Sequence, residues 1–331
     1  MALSIKSSTV GFDAVASRVA DICATEDTFK VEQPILNLCD TDAYSEFGLK
    51  SLGKMVGFPA DFIRTLAETG SKPLAAKNIF DRTSHYFAEG GRPYFARAFG
   101  TPEHEEKKIC GVVSDRYAYF DDDEVTSIIG GSPLAGFRFQ CANISPERLH
   151  LRAIDLDSPF KVEGDDSNLF LMYFVDNSMV GQSSFKVRVG VYRQVCSNGM
   201  IIPMQSFTLC KAVHRGSKDI AAEFTKNVAF LAEKRGEIQT MLAHKAAETA
   251  AITELREKFD EEYVKAYIHK HLNTNKSETE KVIVLFDAYS IECGRQSKWA
   301  FINAVTQFAR DLPESQLERR LYLESRAMQA A

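Results

Sequence analysis

The chain has 331 residues, which at roughly 150 residues each is enough for about two domains. It is 45% hydrophobic and 26% charged, values that exclude a disordered or fibrous chain. With 40 basic and 45 acidic residues the net charge is −5, which excludes a uniformly basic nucleic-acid binder but leaves the distribution of charge open.

The first part of the chain reads helical. Val15, Val19 and Ile22 give helical spacing over Asp13–Thr25, and an extended stretch follows at Lys30–Cys39. A second helix is expected over Asp42–Val56, closed by Gly57. The next begins at Phe58-Pro59, with Phe62, Ile63 and Leu66 as its apolar stripe, and another covers Leu74–Tyr86. The pattern then changes to period two. Strands are expected at Arg92–Phe99, Lys107–Val113, Gly136–Ile144, Arg148–Ile154, Leu169–Asp176, Phe185–Arg193 and Phe207–His214. A short helix, Asp123–Ile129, interrupts them, and the run Asp121-Asp122-Asp123 reads as its cap rather than as a metal site. From Lys218 the chain is helical again. Ile220–Tyr267 reads as one very long helix or two end to end, a shape suited to subunit contacts, and further helices cover Glu278–Glu292, Lys298–Asp311 and Glu314–Met328. The expected fold is α+β: a central twisted, mostly antiparallel sheet, flanked by N-terminal helices and a long C-terminal helical region. Its three regions are 1–90, 91–218 and 219–331.

Standard catalytic signatures are missing. Gly48 to Met55 nearly matches a phosphate-binding loop, but Met55 stands where Ser or Thr must hold magnesium, and the segment lies in an amphipathic helix. His269 and His271 are two apart on a helix and point different ways. Cys210 and His214 share a strand face, which by itself reads as a core thiol beside a surface imidazole. The cysteines at 23, 39, 110, 141, 196, 210 and 293 are odd in number and form no CxxC pair, which fits a reducing cytoplasm. Met1–Phe12 lacks the pattern of a signal peptide, and no apolar run approaches the ~18 residues of a membrane span. No metal or cofactor is expected.

The strands carry the informative pattern. Phe185, Val187, Val189 and Val191 alternate against Lys186, Arg188 and Tyr192; Leu149, Leu151 and Ala153 against Arg148, His150 and Arg152; Phe137, Phe139 and Cys141 against Arg138 and Gln140. Residues 92–218 hold fifteen basic and fifteen acidic residues, yet 177–218 holds six basic residues and no acid. A cationic face of this kind suits a phosphate backbone, with an aromatic ring to stack on a base, although a solvated sheet face also carries Lys and Arg. The candidate DNA-contacting set is Arg138, Arg148, Arg152, Lys186, Arg188, Lys211 and Arg215, with Tyr192 as the stacking ring. Arg193 falls by parity on the apolar face, where a charge needs a partner, and leads into the turn signal Asn198-Gly199.

The run Asn177-Ser178-x-x-Gly181, then Val187 and Arg193-x-Val195-Cys196-x-Asn198-Gly199-Met200, resembles the phage/plasmid-like protein family, a domain of unknown function (932). Leu52-Gly53-x-x-Val56-Gly57-Phe58-Pro59-Ala60, Ser114-Asp115-Arg116-Tyr117 and Trp299-Ala300-x-x-Asn303-Ala304-Val305-Thr306 are similar to further segments of that family, so the resemblance spans about residues 45–310. The pair Ser297-Lys298 departs from the Gly-Thr expected before Trp299. The resemblance implies a phage or mobile-element origin and brings no established reaction. The leading expectation is a non-catalytic single-stranded DNA-binding and strand-annealing protein of recombination. It would act as a ring or filament of identical subunits in the bacterial host cytoplasm, with a host or phage replication protein as a further partner and no membrane. One alternative is a phage interaction protein acting on a host or defence factor. The other is an enzyme with an unfamiliar site around Arg116, Asn177, Arg193 and Asn198.

Overall fold

The computed structural model describes residues 9–101, 104–162, 165–193, 198–200, 208–215, 219–313 and 316–331. The fold is mixed α and β, built on an open antiparallel sheet. After the short strand β1 (Thr9–Val10), helix α1 (Phe12–Cys23) buries Val15, Val19 and Ile22, the stripe expected from the sequence. Strand β2 (Asp27–Val31) precedes three helices, α2 (Glu46–Val56), α3 (Ala60–Glu68) and α4 (Lys72–Ala88). Helix α2 starts four residues later than its spacing suggested, because Ser45 accepts the Gly48 amide and caps it there. It stops at Gly57, whose φ of +85° is a left-handed conformation that glycine adopts without strain.

Strands β3 (Tyr94–Thr101) and β4 (His104–Ser114) do not join the main sheet as their position in the chain suggested. They pair with β2 in a separate three-stranded antiparallel sheet, ordered β2-β3-β4. Tyr94, Ala96, Ile109 and Val112 of this sheet form one core with Leu49, Leu52, Ile63 and Ile79 of α2, α3 and α4. The N-terminal helical region therefore carries its own strands, reaching to Ser114. The two glycines of the near-phosphate-loop serve this packing. A Cβ on Gly48 would lie 1.9 Å from the Ile109 carbonyl oxygen, and one on Gly53 would lie 2.6 Å from the Phe58 carbonyl oxygen.

Helix α5 (Asp122–Gly130) follows, then the strands of the main sheet: β5 (Arg138–Ser145), β6 (Arg148–Ile154), β7 (Phe160–Val162), β8 (Asp165–Asn177), β9 (Phe185–Arg193), β10 (Asn198–Met200) and β11 (Thr208–Ala212). The main order is β1-β5-β6-β8-β9-β10, with β11 also on β9 and β7 on β8. One face carries Leu149, Leu151, Leu171, Val175, Val187 and Val191 into the main core, together with Val19 of α1 and Val125 of α5. The other face is the one the alternation marked as cationic.

The C-terminal region is more broken than the sequence suggested. Ile220–Tyr267 forms three helices, α6 (Ile220–Ala247), α7 (Ala251–Lys258) and α8 (Glu261–Leu272). The first break is made by long-range pairing: Thr249 bridges Ser297, and the Lys298 amide donates to the Glu248 carbonyl at 2.8 Å. The second is made by Asp260, which caps α8 through the Tyr263 amide. Helices α9 (Lys276–Glu292), α10 (Lys298–Asp311) and α11 (Leu317–Ala330) complete the chain. Trp299, Phe301, Ile302, Ala304, Val305 and Phe308 are all buried, as are Asn303 and Thr306, so α10 is enclosed on most of its surface, packed against α9, α11 and β10. Among the described residues no helix is long and apolar enough to cross a membrane.

Candidate functional site

The register of the main sheet assembles the site. On the face away from the main core, His150 lies opposite Asp176, Asp176 opposite Lys186, and Lys186 opposite Lys211. These four residues form one row across β6, β8, β9 and β11, neighbours being one strand spacing of roughly 4.8 Å apart. The next row holds Arg152, Phe174 and Arg188. Beyond it the face turns apolar: Ile154, Phe170, Met172, Phe174 and Tyr192 form a small core of their own.

Asp176 is the anchor of the polar end. His150 Nδ1 lies 2.7 Å from its Oδ1, and Arg188 donates to Oδ2 at 2.8 Å. Burial would raise this carboxyl, but the hydrogen bonds from His150 and Arg188, together with the Arg188 charge, overrule it and hold it well below the ordinary carboxylate range. Burial lowers the His150 imidazole, so the ring is neutral. A single tautomer satisfies both nitrogens: Nδ1–H donates to Asp176, and Nε2 accepts from Arg152 Nε at 3.3 Å. Arg152 in turn reaches Glu324 of α11 at 3.5 Å, so a C-terminal helix is tied to the sheet. Burial raises the Glu324 carboxyl, with Arg152 and Arg320 opposing.

Cations outnumber acids here. Lys186 is lowered first by partial burial and then by repulsion from Arg188, Lys211 and Arg148, with Asp176 alone opposing. Arg148 is likewise lowered by burial and by Arg188. Lys186 and Lys211 stand directly opposite each other, and neither makes an ion pair with a described residue. Like charges placed so are destabilising unless an anion joins them.

The sequence-derived set is thus brought together in part. Arg148, Lys186 and Arg188 are half-buried, and Lys211 and Arg215 are exposed. Arg152 belongs to the same face but is only 7% exposed. Arg138 lies on that face too, opposite Ile154 at its apolar end. Tyr192 differs from expectation. At 1% exposure it packs with Phe170 in the small apolar core, so its ring presents no face to a base. The alternation reported its face correctly but carried no information on what covers that face. Helix α10 packs against β10, which pairs with β9 at Tyr192.

The family-motif residues hold the loops around this sheet. Asn177 is fully buried and donates from Nδ2 to the Phe120 carbonyl at 2.9 Å and to Asp122 at 2.8 Å. Asp122 is pushed up to about 7, chiefly by burial. Gly181 has φ +80°, and a Cβ there would lie 3.2 Å from the Tyr117 ring. Arg116 is exposed in the turn after β4. Trp299 is buried, and Asn303 donates to its carbonyl at 2.9 Å, one helical turn back. Cys196 lies outside the described residues, as do the side chains of Arg193, Cys210 and Asn198. The backbone of Asn198 and Gly199 forms β10, pairing with Arg193 and Tyr192. Asp121 makes no side-chain cap for α5. It binds Arg97 instead.

Arg97 is the residue that reading the sequence missed. It is fully buried and donates to Asp121 at 2.8 and 2.9 Å, to Glu26 at 3.0 Å and to the Met179 carbonyl, while its guanidinium faces the rings of Phe99 and Tyr119. An arginine within an apolar strand, Tyr94–Phe99, was the available signal. Among the described residues no cluster of His, Cys, Asp and Glu is arranged to hold a metal.

No curated protein and no solved structure shows a significant match to the chain. A family model does match, over residues 109–317, and its description is Domain of unknown function (DUF932). That span is more than half of the chain and takes in the whole polar face except α11, so the chain belongs to the DUF932 family.

Proposed function

We propose that this protein binds single-stranded DNA along the cationic rows of its main sheet and anneals strands as an oligomer, in the manner of a phage or mobile-element recombination protein. The observation that carries the reading is the cross-strand pair Lys186–Lys211, flanked by Arg148 and Arg188 with Asp176 as the opposing carboxylate. Repelling charges held by the sheet register lower stability, and a polyanion laid across them removes that cost. Contacts to a phosphate backbone need no bond chemistry, in keeping with the lack of catalytic signatures in the sequence. The phage and plasmid association rests on the motif runs from Asn177 and Trp299, and oligomer formation on the helical C-terminal region.

Arg148, Lys186, Arg188 and Lys211 are the phosphate contacts in this reading, and Arg215 extends them. Arg152 positions His150 and α11, and Tyr192 belongs to the apolar core. The test is a mobility shift and strand-annealing assay on wild type and on Lys186→Glu/Lys211→Glu, with particle images taken with and without single-stranded DNA. The expected result is a shift and annealing by wild type, both lost in the variant, with rings or filaments that lengthen with DNA. No shift at low salt refutes the reading. A shift unchanged in the variant removes this face from it.

A further inference from the structure

A groove of about 650 Å³ opens beside the cationic rows, between α2, the end of β4 and the loop 178–184. Its volume falls within the usual range for small-molecule sites, roughly 300–1,000 Å³. Phe47, Met55, Val180 and Val213 give it apolar walls. Its charged lining is Lys50, Lys54 and Arg215, and no carboxylate lines it among the described residues. Lys50 is engaged by Glu46 at 2.7 Å, whereas Lys54 and Arg215 are exposed and make no ion pair with a described residue. The same helix turn that failed as a phosphate-binding loop therefore turns Lys50, Ser51 and Lys54 toward this space.

One wall is tied together by several contacts. The Tyr117 ring stacks on His214 at 5.1 Å with 13° between planes, and its hydroxyl donates to the Ser178 carbonyl at 3.0 Å. Gly181 lets the loop approach the other edge of that ring. His214 is kept neutral by burial and bonds the Ala118 carbonyl through Nδ1. Tyr117, Ser178 and Gly181 all lie in the motif runs, so three motif residues converge on one aromatic platform. One strand leads from the cationic rows to the groove: along 211–215 exposure alternates, with Lys211, Val213 and Arg215 exposed and Ala212 and His214 buried, and Val213, His214 and Arg215 line the groove.

We propose that this groove is a nucleotide subsite, taking one base against its apolar and aromatic walls and the adjoining phosphate on Lys54 and Arg215. Apolar walls suit a planar heterocycle, the Ser184 hydroxyl and the Gln182 amide suit its edge, and two exposed cations suit one phosphate. The inference deepens the strand-binding reading above and rests on it, since a strand crossing Lys186 and Lys211 runs on to Arg215. A free nucleotide offers the same chemistry from a second source.

The experiment is photo-crosslinking of the whole protein with two probes, an oligothymidylate carrying one 5-iodouracil and free 5-iodo-dUMP, with the attached peptides mapped by mass spectrometry. The expected result is oligonucleotide crosslinks in the segments containing Phe47–Met55 or Ser114–Tyr117. They should fall at least tenfold in Lys54→Glu/Arg215→Glu, two exposed positions whose change leaves the core intact. An oligonucleotide that binds but crosslinks only elsewhere overturns the subsite and leaves the strand reading standing. Free 5-iodo-dUMP crosslinked in the groove without oligonucleotide binding supports the subsite as a free-nucleotide site and overturns the strand reading. Binding by neither probe overturns both.

Discussion

Asp176→Asn isolates the energetics of the polar face. Asp176 is 5% exposed and serves two partners, the His150 ring at 2.7 Å and the Arg188 guanidinium at 2.8 Å. Asparagine keeps an oxygen for His150 but removes the charge that offsets Arg188, Arg148 and Lys186. Deleting one member of a buried ion pair costs about 3–5 kcal/mol. The Arg188 side chain is 25% exposed, so water relieves part of the loss, and the expected destabilisation is at the low end, about 3 kcal/mol. Urea unfolding followed by circular dichroism near pH 7.5 reads this directly. The pH dependence supplies a second check. The Asp176 carboxyl is held below its unfolded value, so its contribution is present above the unfolded value of about 4 and is lost as pH falls toward the folded value. The gap between wild type and variant should therefore narrow in acid. A gap below about 1 kcal/mol near neutrality, or one unchanged down to pH 3, refutes the picture of an ionised Asp176 holding the cations in place.

Other outcomes follow from the same structure. Asp122 is raised to about 7, so its carboxylate lowers stability as pH rises from about 4 to 7; Asp122→Asn should gain thermal stability relative to wild type across that window, read as Tm against pH. Gly48→Ala drives a Cβ to 1.9 Å from the Ile109 carbonyl oxygen and should cost about 1–3 kcal/mol or more in chemical denaturation, whereas Gly136→Ala meets no atom within 4 Å and should be near neutral. Arg97→Met leaves Asp121 without its guanidinium and should cost about 3–5 kcal/mol by the same measurement.

Much of the polar face is legible in sequence, because a strand's period of two assigns sides without knowledge of the fold. The alternation of Arg148, His150 and Arg152 against Leu149, Leu151 and Ala153 is reproduced in the burial of the apolar set and in the pairing of the polar one. Register was not legible: nothing local places Lys186 opposite Lys211. Nor was the cover over the face, since Glu324 meets Arg152 across 172 positions of chain. The buried Tyr192 and the three-helix C-terminal segment have the same origin, contacts made far away in sequence overriding local pattern. The assignment of β3 to a separate sheet is of this kind too, for its partner β2 is short and lacks a clean alternation. The helical stripe of α1 was legible because amphipathic periodicity is a local property, whereas in α3 Ile63 and Ala67 are buried and Phe62, expected on the stripe, is 58% exposed.

The salt dependence of single-strand binding tests the central claim most directly. Each phosphate neutralised on a single strand contributes about 0.7 to the slope of log affinity against log salt. Arg148, Lys186, Arg188 and Lys211 acting together give a slope near −3, and Lys186→Glu/Lys211→Glu should flatten it by about 1.4 or more. Fluorescence anisotropy with a labelled oligothymidylate from about 50 to 300 mM salt gives both numbers. A slope near −3 that falls by half in the double variant agrees with strand binding on these rows; no binding at the lowest salt, or a slope that the variant leaves unchanged, contradicts it.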